Sequence, residues 1–509
     1  MTSGLTRGLV TAGLVTALAM FAGVAPACAA PQGPVVTVEG GAVAGRATDD
    51  LRIFQGIPYA APPVGDRRWR APAPVLSWQG TRDATRFGAA CMQPSGRKEA
   101  WAQVGPTSED CLFLNIWQPA KPGKYPVMVF LHGGGFTYGS AGVPLYDGAA
   151  LARRGVVVVT LNYRLGVLGF FAHPALTREA PGSALGNYGI MDQIAALRWV
   201  RKNIAAFQGD ARNVTAFGES AGAGTVQLLM GAPAAEGLFD KAISQSGAGG
   251  SVLPSFAKVE AVGKTLSDAA GLGDVTAAQL RGLPADKLLL RSFPFIDGKV
   301  VVASPGTAFL RKREMKIPLI IGANSNESTL SSNNADGVKL ALGTAVSDFE
   351  TRYVAARPGK SADAAKTDLA EDVLSILPSV SIGAMHAAAG GRAYSYYFDQ
   401  VPASQRAGSA GAGHGDELQY LFGNPYDGAV WDDADRAVSR AIGNYWVQFA
   451  RTGDPNAKGT VAWPRIDEAT APHSLTIATP IRATMLTPLE EQARKAALAT
   501  SIAAWTNEP

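Results

Sequence analysis

The chain has 509 residues, of which 47% are hydrophobic and 17% charged, as in a globular protein long enough to bury a large core. Its 46 basic and 42 acidic residues leave a net charge of +4, with no long run of either sign. Nucleic-acid-binding proteins usually carry a clustered basic surface. The composition therefore excludes that class and favours a small-molecule partner.

The first 29 residues are typical of a secretory signal peptide. Arg7 precedes an apolar stretch at 9–24, and small residues follow it up to Ala-Cys-Ala at 27–29. The stretch is short for a membrane span, so no stable membrane insertion is expected, although an uncleaved anchor or a lipid on Cys28 is the alternative. We expect a secreted protein, extracellular or periplasmic, whose mature part at 30–509 forms a single domain.

The mature chain keeps two cysteines, Cys91 and Cys111. Two cysteines in an exported protein are expected to form a disulfide. Two buried free thiols are the alternative.

The predicted elements begin with a β-hairpin at 35–46, followed by a proline-rich crossing. Continuous apolar runs then predict strands that are buried on both faces, at 112–117, 127–131, 156–161, 214–217 and 317–321. Helical patterns at 191–207 and 221–230 separate some of these strands, which indicates a mostly parallel central sheet. Two further helical stretches, at 258–290 and 335–389, are interpreted as insertions that shape a pocket.

The segment Gly218-Glu219-Ser220-Ala221-Gly222 matches the nucleophile-elbow pattern, in which glycines flank a serine on a tight turn between a strand and a helix. In a chain with 58 glycines the pattern alone is weak. The strand predicted before it and the helix predicted after it strengthen the assignment of Ser220 as a nucleophile.

A nucleophilic serine needs backbone N–H donors for the oxyanion. The glycine run Gly133-Gly134-Gly135 follows a predicted strand, where such a loop is expected, and Ala221 would supply a further N–H.

The catalytic base follows by elimination, because the chain has only five histidines. In this motif the chain order is serine, acid, histidine, so His132 and His173 come too early. His386 falls in a helical pattern and His473 beside a proline. His414, in a glycine-rich loop, is the candidate.

The acid must then lie between Ser220 and His414. Glu327 is the only carboxylate of a polar loop after an apolar strand, and it is favoured. Asp399, which also follows a strand-like run, stays open as an alternative, as does Asp297 more weakly.

Several segments resemble the type-B carboxylesterases, the cholinesterase-like branch of the α/β hydrolases. They lie at 54–60, 108–112, 132–136, 162–166 and 186–222, and the resemblance spans about residues 35 to 505. It implies an α/β-hydrolase fold with a Ser220–Glu327–His414 triad. It also implies Gly134, Gly135 and Ala221 as oxyanion donors and a Cys91–Cys111 disulfide.

The expected function is that of a secreted serine carboxylesterase that forms an acyl-enzyme on Ser220, takes a small-molecule ester, and needs no cofactor or metal. An amidase, carbamate or lactone hydrolase could use the same triad. A non-catalytic adhesion protein on the same fold is the other alternative, although such relatives typically lose a triad member.

Two residues invite separate tests. Trp101 lies at a position that resembles the choline-binding tryptophan of the family, where it would bind an ammonium group through cation–π contact or simply pack the loop. Gln208 departs from the family's usual Phe-Gly-Gly-Asp-Pro, and the expectation is an altered loop with an intact triad.

Overall fold

The computed structural model describes residues 33–97, 102–247, 252–327, 334–466 and 473–508, together with positions 1, 2, 4, 99, 249 and 250. Most of the predicted signal segment, and Trp101, therefore lie outside the described residues. Within the described ranges, no helix has the length and apolar composition needed to cross a bilayer.

The strands are numbered in chain order. They are β1 Val35–Val38, β2 Gly41–Ala44, β3 Arg46–Ala47, β4 Leu51–Pro58, β5 Thr81–Asp83, β6 Ala90–Cys91, β7 Thr107–Ser108, β8 Phe113–Pro119, β9 Tyr125–Leu131, β10 Val157–Leu161, β11 Gly209–Glu219, β12 Lys241–Gln245, β13 Leu319–Asn324, β14 Ala393–Phe398, β15 His473–Ile477 and β16 Arg482–Met485.

The helices are numbered in the same way. They are α1 Ala149–Ala152, α2 Gly166–Gly169, α3 Pro174–Glu179, α4 Tyr188–Asn203, α5 Ala221–Met230, α6 Phe256–Ala269, α7 Ala277–Arg281, α8 Pro305–Leu310, α9 Asn334–Leu342, α10 Val346–Ala356, α11 Ala362–Glu371, α12 Leu377–Ala388, α13 Glu417–Phe422, α14 Asp433–Thr452 and α15 Pro488–Thr506.

A sheet of eleven strands runs through the described part of the chain, in the order β16-β15-β14-β13-β12-β11-β9-β10-β8-β4-β3. Neighbouring strands from β15 to β10 are parallel. Antiparallel pairs flank them on both sides. The predicted mostly parallel sheet is confirmed, and β1 and β2 form the predicted hairpin outside it.

The central strands are apolar on both faces because helices cover both faces. Val127 and Val129 of β9 pack into one cluster with α4 and α5. Met128 and Phe130, between them in sequence, pack into a second cluster with α14. Burying one such side chain contributes about 1.5–3 kcal/mol, so a continuous apolar run is favoured over an alternating one.

The helical insertions expected from the sequence are present as α6–α7 and α9–α12. Helices α9 to α12 share a small apolar cluster with α15, in which Tyr353, Leu369 and Leu377 are buried. Helix α15 also packs against α8. The insertion thus has its own core beside the sheet.

Local contacts account for glutamine at position 208, where the family usually has glycine. It adopts a left-handed backbone, with φ 62°, which glycine tolerates more easily. Its side-chain amide accepts a hydrogen bond from Gly123 N at 2.8 Å and donates one to Pro119 O at 3.2 Å. These bonds hold the loop that connects β8 and β9, at the amino end of β11.

The sheet brings four loops to one edge. Strands β9, β11, β13 and β14 are parallel, so the segments that follow them leave at the same side. Ligands of open α/β sheets bind outside the carboxyl ends of the strands. The glycine run, Ser220, Glu327 and His414 all lie in segments that follow these four strands.

Candidate active site

Ser220 stands at the sharp turn between β11 and α5. Its backbone has φ 56° and ψ −123°, a conformation that is strained for a residue with a side chain. The Ser220 N–H donates to Gln245 O at 2.8 Å, which fixes the turn to the neighbouring β12. The residue is half-buried at the edge of the sheet.

The flanking glycines are required by close backbone contacts. A Cβ on Gly222 would lie 1.9 Å from Leu131 O, and one on Gly218 would lie 2.6 Å from the Gly222 carbonyl carbon. Helix α5 therefore starts directly against the end of β9. The glycine spacing of the elbow is a steric necessity of this packing.

The glycine run after β9 lies beside Ser220. A Cβ on Gly133 would lie 3.0 Å from the Ser220 Cβ, whereas one on Gly135 would meet nothing within 4 Å. Gly134 and Gly135 have φ values of 98° and 59°, and Phe136 follows with φ 56°. Three successive residues with positive φ turn the backbone sharply beside the serine.

His414 and Glu327 meet at this edge. His414 Nδ1 lies 2.5 Å from Glu327 Oε2. The two loops that carry them are joined by a hydrogen bond from Asn326 N to Ala412 O at 2.9 Å and by another from Asn324 Nδ2 to Gly413 O at 2.7 Å. The acid and the imidazole are thus held by backbone contacts as well as by their own pairing.

Glu327 is buried and receives two further donors. Ser246 Oγ donates to Glu327 Oε1 at 2.6 Å, and Asn324 N donates to the same oxygen at 2.8 Å. Burial raises the pKa of Glu327, but the positive charge of His414 and these hydrogen bonds outweigh burial and hold it below its usual value. Glu327 therefore stays ionised.

Ser246 carries no signal in the sequence that points to this role. It follows β12, a strand that is not predicted because its residues are largely polar, and it is 81 positions away from Glu327. Ser246 is buried and has φ 56°. Its position at the carboxyl end of a central strand is evident only once β12 is seen in the structure.

A second carboxylate faces the other side of the imidazole. His414 Nε2 lies 2.9 Å from Oε1 of Glu219, the residue before Ser220. Burial lowers the pKa of His414, but the negative charges of Glu219 and Glu327 outweigh burial and raise it well above its usual value. Glu219 and Glu327 therefore both favour the protonated form of the imidazole.

Glu417 is a third carboxyl group in this cluster, close enough for Glu219 and Glu327 to act on its pKa. It is fully buried and accepts hydrogen bonds from Gln245 Nε2 at 2.9 Å and Asn324 Nδ2 at 2.6 Å. Burial, and next the charge of Glu219, raise the pKa of Glu417 to about 8. Glu417 therefore carries a proton near neutral pH.

The rival acids lie elsewhere. Asp297 accepts hydrogen bonds from the Lys299 and Val300 N–H groups at 2.7 Å, so it stabilises a turn. Asp399 stands at the end of β14, where its N–H donates to Ile477 O. Among the described contacts, the carboxylates that pair with His414 are Glu327 and Glu219.

The other histidines lie away from Glu327 in structural positions. His132 stacks on Tyr163, and burial lowers its pKa to about 4. His173 caps α3 by accepting from Ala175 N. His386 lies buried with Nδ1 3.1 Å from Glu314 Oε1, and His473 begins β15.

Comparison with known proteins identifies the family of the chain. The model of the family described as the carboxylesterase family matches residues 32–353 and 341–496. The chain belongs to the carboxylesterase family. It is a carboxylic ester hydrolase, and its fold is that of the α/β hydrolases.

Named carboxylesterase relatives come from bacteria and animals. The chain is 37% identical to fumonisin B1 esterase of Sphingopyxis macrogoltabida, over 84% of each chain. It is 36% identical to para-nitrobenzyl esterase of Bacillus subtilis, over 86% of this chain and 93% of that one. It is 32% identical to pig (Sus scrofa) liver carboxylesterase, over 89% and 91%.

Solved carboxylesterase structures share the fold. A structure named PNB esterase matches with a TM-score of 0.78 and 32% identity, and the match covers 91% of this chain and 99% of that one. A structure named thermophilic PNB esterase gives the same TM-score and coverage. The sheet and its helical layers are thus shared along nearly the whole esterase.

A disulfide joins β6 to the segment just before β8. Cys91 and Cys111 are bonded at an S–S distance of 2.06 Å, and both are buried. The residues between them close a loop that includes the short strands β6 and β7, which pair in parallel. The expected disulfide is therefore present.

Proposed function

We propose that this carboxylesterase hydrolyses small-molecule esters through an acyl-enzyme on Ser220, with His414 as general base and Glu327 as its orienting acid. The contact of 2.5 Å between His414 Nδ1 and Glu327 Oε2, at the edge of the sheet that carries the strained Ser220, supports this proposal most strongly. A serine, a buried carboxylate and an imidazole, in that chain order, are the components of acyl transfer in this fold.

Acylation begins when Ser220 Oγ attacks the ester carbonyl and His414 Nε2 takes the hydroxyl proton. Glu327 accepts the Nδ1–H of the ring, which fixes its tautomer, and stabilises the imidazolium that forms. The proton can be taken only when Nε2 is unprotonated, so the active form is neutral His414.

The developing oxyanion accepts hydrogen bonds from backbone N–H groups, which we assign to Gly134, Gly135 and Ala221. Gly134 and Gly135 lie in the positive-φ turn, and Ala221 begins α5 directly after the nucleophile. His414 then protonates the leaving alcohol. Water attacks the acyl-enzyme by the same proton route in reverse and frees the acid.

Turnover of p-nitrophenyl acyl esters of increasing chain length, measured beside an anilide, tests this function. We expect the rate of ester hydrolysis to exceed that of anilide hydrolysis. Ser220→Ala and His414→Ala should each reduce the ester rate by several orders of magnitude. A fluorophosphonate should label Ser220, which mass spectrometry of the peptide would show. Ester turnover that survives in Ser220→Ala would refute the proposal.

The relatives' names indicate the substrate class. One is named for para-nitrobenzyl esters and another for fumonisin B1, so a para-nitrobenzyl ester and fumonisin B1 are reasonable first substrates. We propose small-molecule esters, without a nucleic-acid partner, a metal or a cofactor. Amide, carbamate and lactone analogues of the best ester, assayed under the same conditions, would expose a different leaving-group preference.

We propose that residues 1–29 direct export and that residues 30–509 form one catalytic domain in the extracellular or periplasmic space. The Cys91–Cys111 disulfide supports an oxidising compartment. Expression of the full chain in a bacterial host and N-terminal sequencing of the exported product test this. An uncleaved product that stays in the cytosol would contradict it.

Trp101 is proposed as a substrate contact. Trp101→Ala should reduce turnover of a choline ester more than that of its neutral isostere if the indole binds the ammonium group. Equal losses for the two esters would refute the cation contact.

A further inference from the structure

The glycine turn after β9 is held at its exit by a side chain from the disulfide loop. Gln93 is buried, and its amide forms two hydrogen bonds with one residue, Gly139. Gly139 N donates to Gln93 Oε1 at 2.9 Å, and Gln93 Nε2 donates to Gly139 O at 2.9 Å. The same Nε2 donates to Cys91 O at 3.0 Å.

Gly139 belongs to the same turn as the proposed oxyanion donors. The Tyr138 N–H donates to Gly134 O at 2.9 Å, and the Thr137 N–H donates to it at 3.1 Å. A Cβ on Gly134 would lie 2.3 Å from Tyr138 O. The backbone before Gly139 is therefore folded tightly on Gly134. A shift of Gly139 would move Gly134 with it.

The turn needs such support because its conformation is unfavourable on its own. Gly134, Gly135, Phe136 and Gly139 all have positive φ, and Phe136 carries a side chain there. Strained backbone of this kind persists only where the surrounding structure holds it. The disulfide fixes Cys91, two residues before Gln93, so the amide approaches Gly139 from a covalently anchored segment.

We propose that Gln93 is a positioning residue that holds the oxyanion donors on their target through Gly139. This inference rests on the proposed function, because it assigns a task to the donor loop. Gln93 touches neither the ester nor Ser220 in this role. Its loss should weaken binding of the transition state more than binding of the substrate.

Gln93→Met tests the proposal, because methionine has a similar length but cannot form the paired hydrogen bonds. Gln208→Met is a matched control, since the Gln208 amide also bridges two backbone groups, but at the amino end of β11. Removing one oxyanion donor outright costs about 10²–10³-fold in kcat. Because Gln93→Met only loosens two donors, we expect a loss of about 10-fold or more in kcat with KM little changed.

A trifluoromethyl ketone separates positioning from folding. Ser220 Oγ adds to its carbonyl carbon, the proton passes to His414, and the former carbonyl oxygen becomes an oxyanion that needs the donors. We expect the inhibition constant to rise in Gln93→Met by the same factor by which kcat falls. Gln208→Met should leave both values near those of the unmodified enzyme.

Two outcomes would overturn the inference: a Gln93→Met enzyme with unchanged ketone affinity, or losses confined to KM and melting temperature. If Gln93→Met does not fold, Gln93→Glu provides the second variant, because the glutamate still accepts from Gly139 N but, when ionised, cannot donate to Gly139 O. Ester turnover that survives Ser220→Ala would refute the proposed function, whereas a dead Ser220→Ala beside an unaffected Gln93→Met would refute this inference alone.

Discussion

Replacing Ser246 with alanine removes the one side-chain hydroxyl described as donating to Glu327. The bond lost has an O···O distance of 2.6 Å and ends on a buried carboxylate. Hydrogen bonds to charged groups contribute about 1.5–3 kcal/mol. Glu327 keeps its hydrogen bond from Asn324 N at 2.8 Å and its contact with the His414 imidazole, so the buried carboxylate loses one partner and retains two.

The loss should appear in catalysis. A tenfold change in rate corresponds to about 1.4 kcal/mol, so the Ser246→Ala enzyme should lose about 10- to 100-fold in kcat/KM on p-nitrophenyl acetate. Urea denaturation should show a parallel loss of at most about 3 kcal/mol in the free energy of unfolding. Ser439→Ala is the control, because the Ser439 hydroxyl donates to Tyr420 O at 2.7 Å and touches no triad residue.

Ser246→Gly separates the hydrogen bond from backbone strain. Ser246 has φ 56°, which costs a residue with a side chain about 1 kcal/mol relative to glycine. Both variants lack the hydroxyl, so both should lose activity alike while the glycine variant is the more stable of the two. A Ser246→Ala enzyme with more than half of the normal kcat/KM would refute the reasoning, as would full activity in Ser246→Gly.

Three further predictions follow from charges and covalent links. Neutral His414 is the active form, and Glu219 raises the pKa of His414. Glu219→Gln should therefore lower that pKa and move the acid limb of the kcat/KM–pH profile to lower pH. An acid limb that does not move would contradict the electrostatic role of Glu219. Replacing Cys91 and Cys111 together with serine should lower the free energy of unfolding in urea by about 3 kcal/mol, and an unchanged midpoint would contradict this. Asp192→Asn breaks the buried bidentate ion pair between Asp192 and Arg164. The free energy of unfolding in urea should fall by about 3–5 kcal/mol, and a loss below about 1 kcal/mol would contradict this.

Features set by local sterics and burial were predictable from the sequence. The glycines around Ser220 are needed because a side chain would not fit: a Cβ on Gly222 would lie 1.9 Å from Leu131 O. Continuous apolar runs mark β9 and β10, because both faces of these strands are covered. The family resemblance is confirmed, and it favours Glu327 over Asp399 as the acid.

Features that depend on distant partners were not predictable in this way. Strand β12 contains Lys241, Ser244 and Gln245, yet every one of its residues is buried. Gln245 finds its partners far along the chain: its Nε2 donates to Glu417 Oε1, and its Oε1 accepts from Trp446 Nε1. A rule that looks for apolar runs misses such a strand, and it misses Ser246 with it.

The parallel order of the strands also determines when activity can appear during folding. His414 and Glu327 are 87 positions apart, and helices α9 to α12 lie between β13 and β14, the neighbouring strands that bring them together. Contacts between residues so distant in sequence form late, because a long loop must close first. Recovery of ester turnover after dilution from denaturant should therefore lag behind recovery of helical circular dichroism. Esterase activity is then a direct reporter of completed chain assembly.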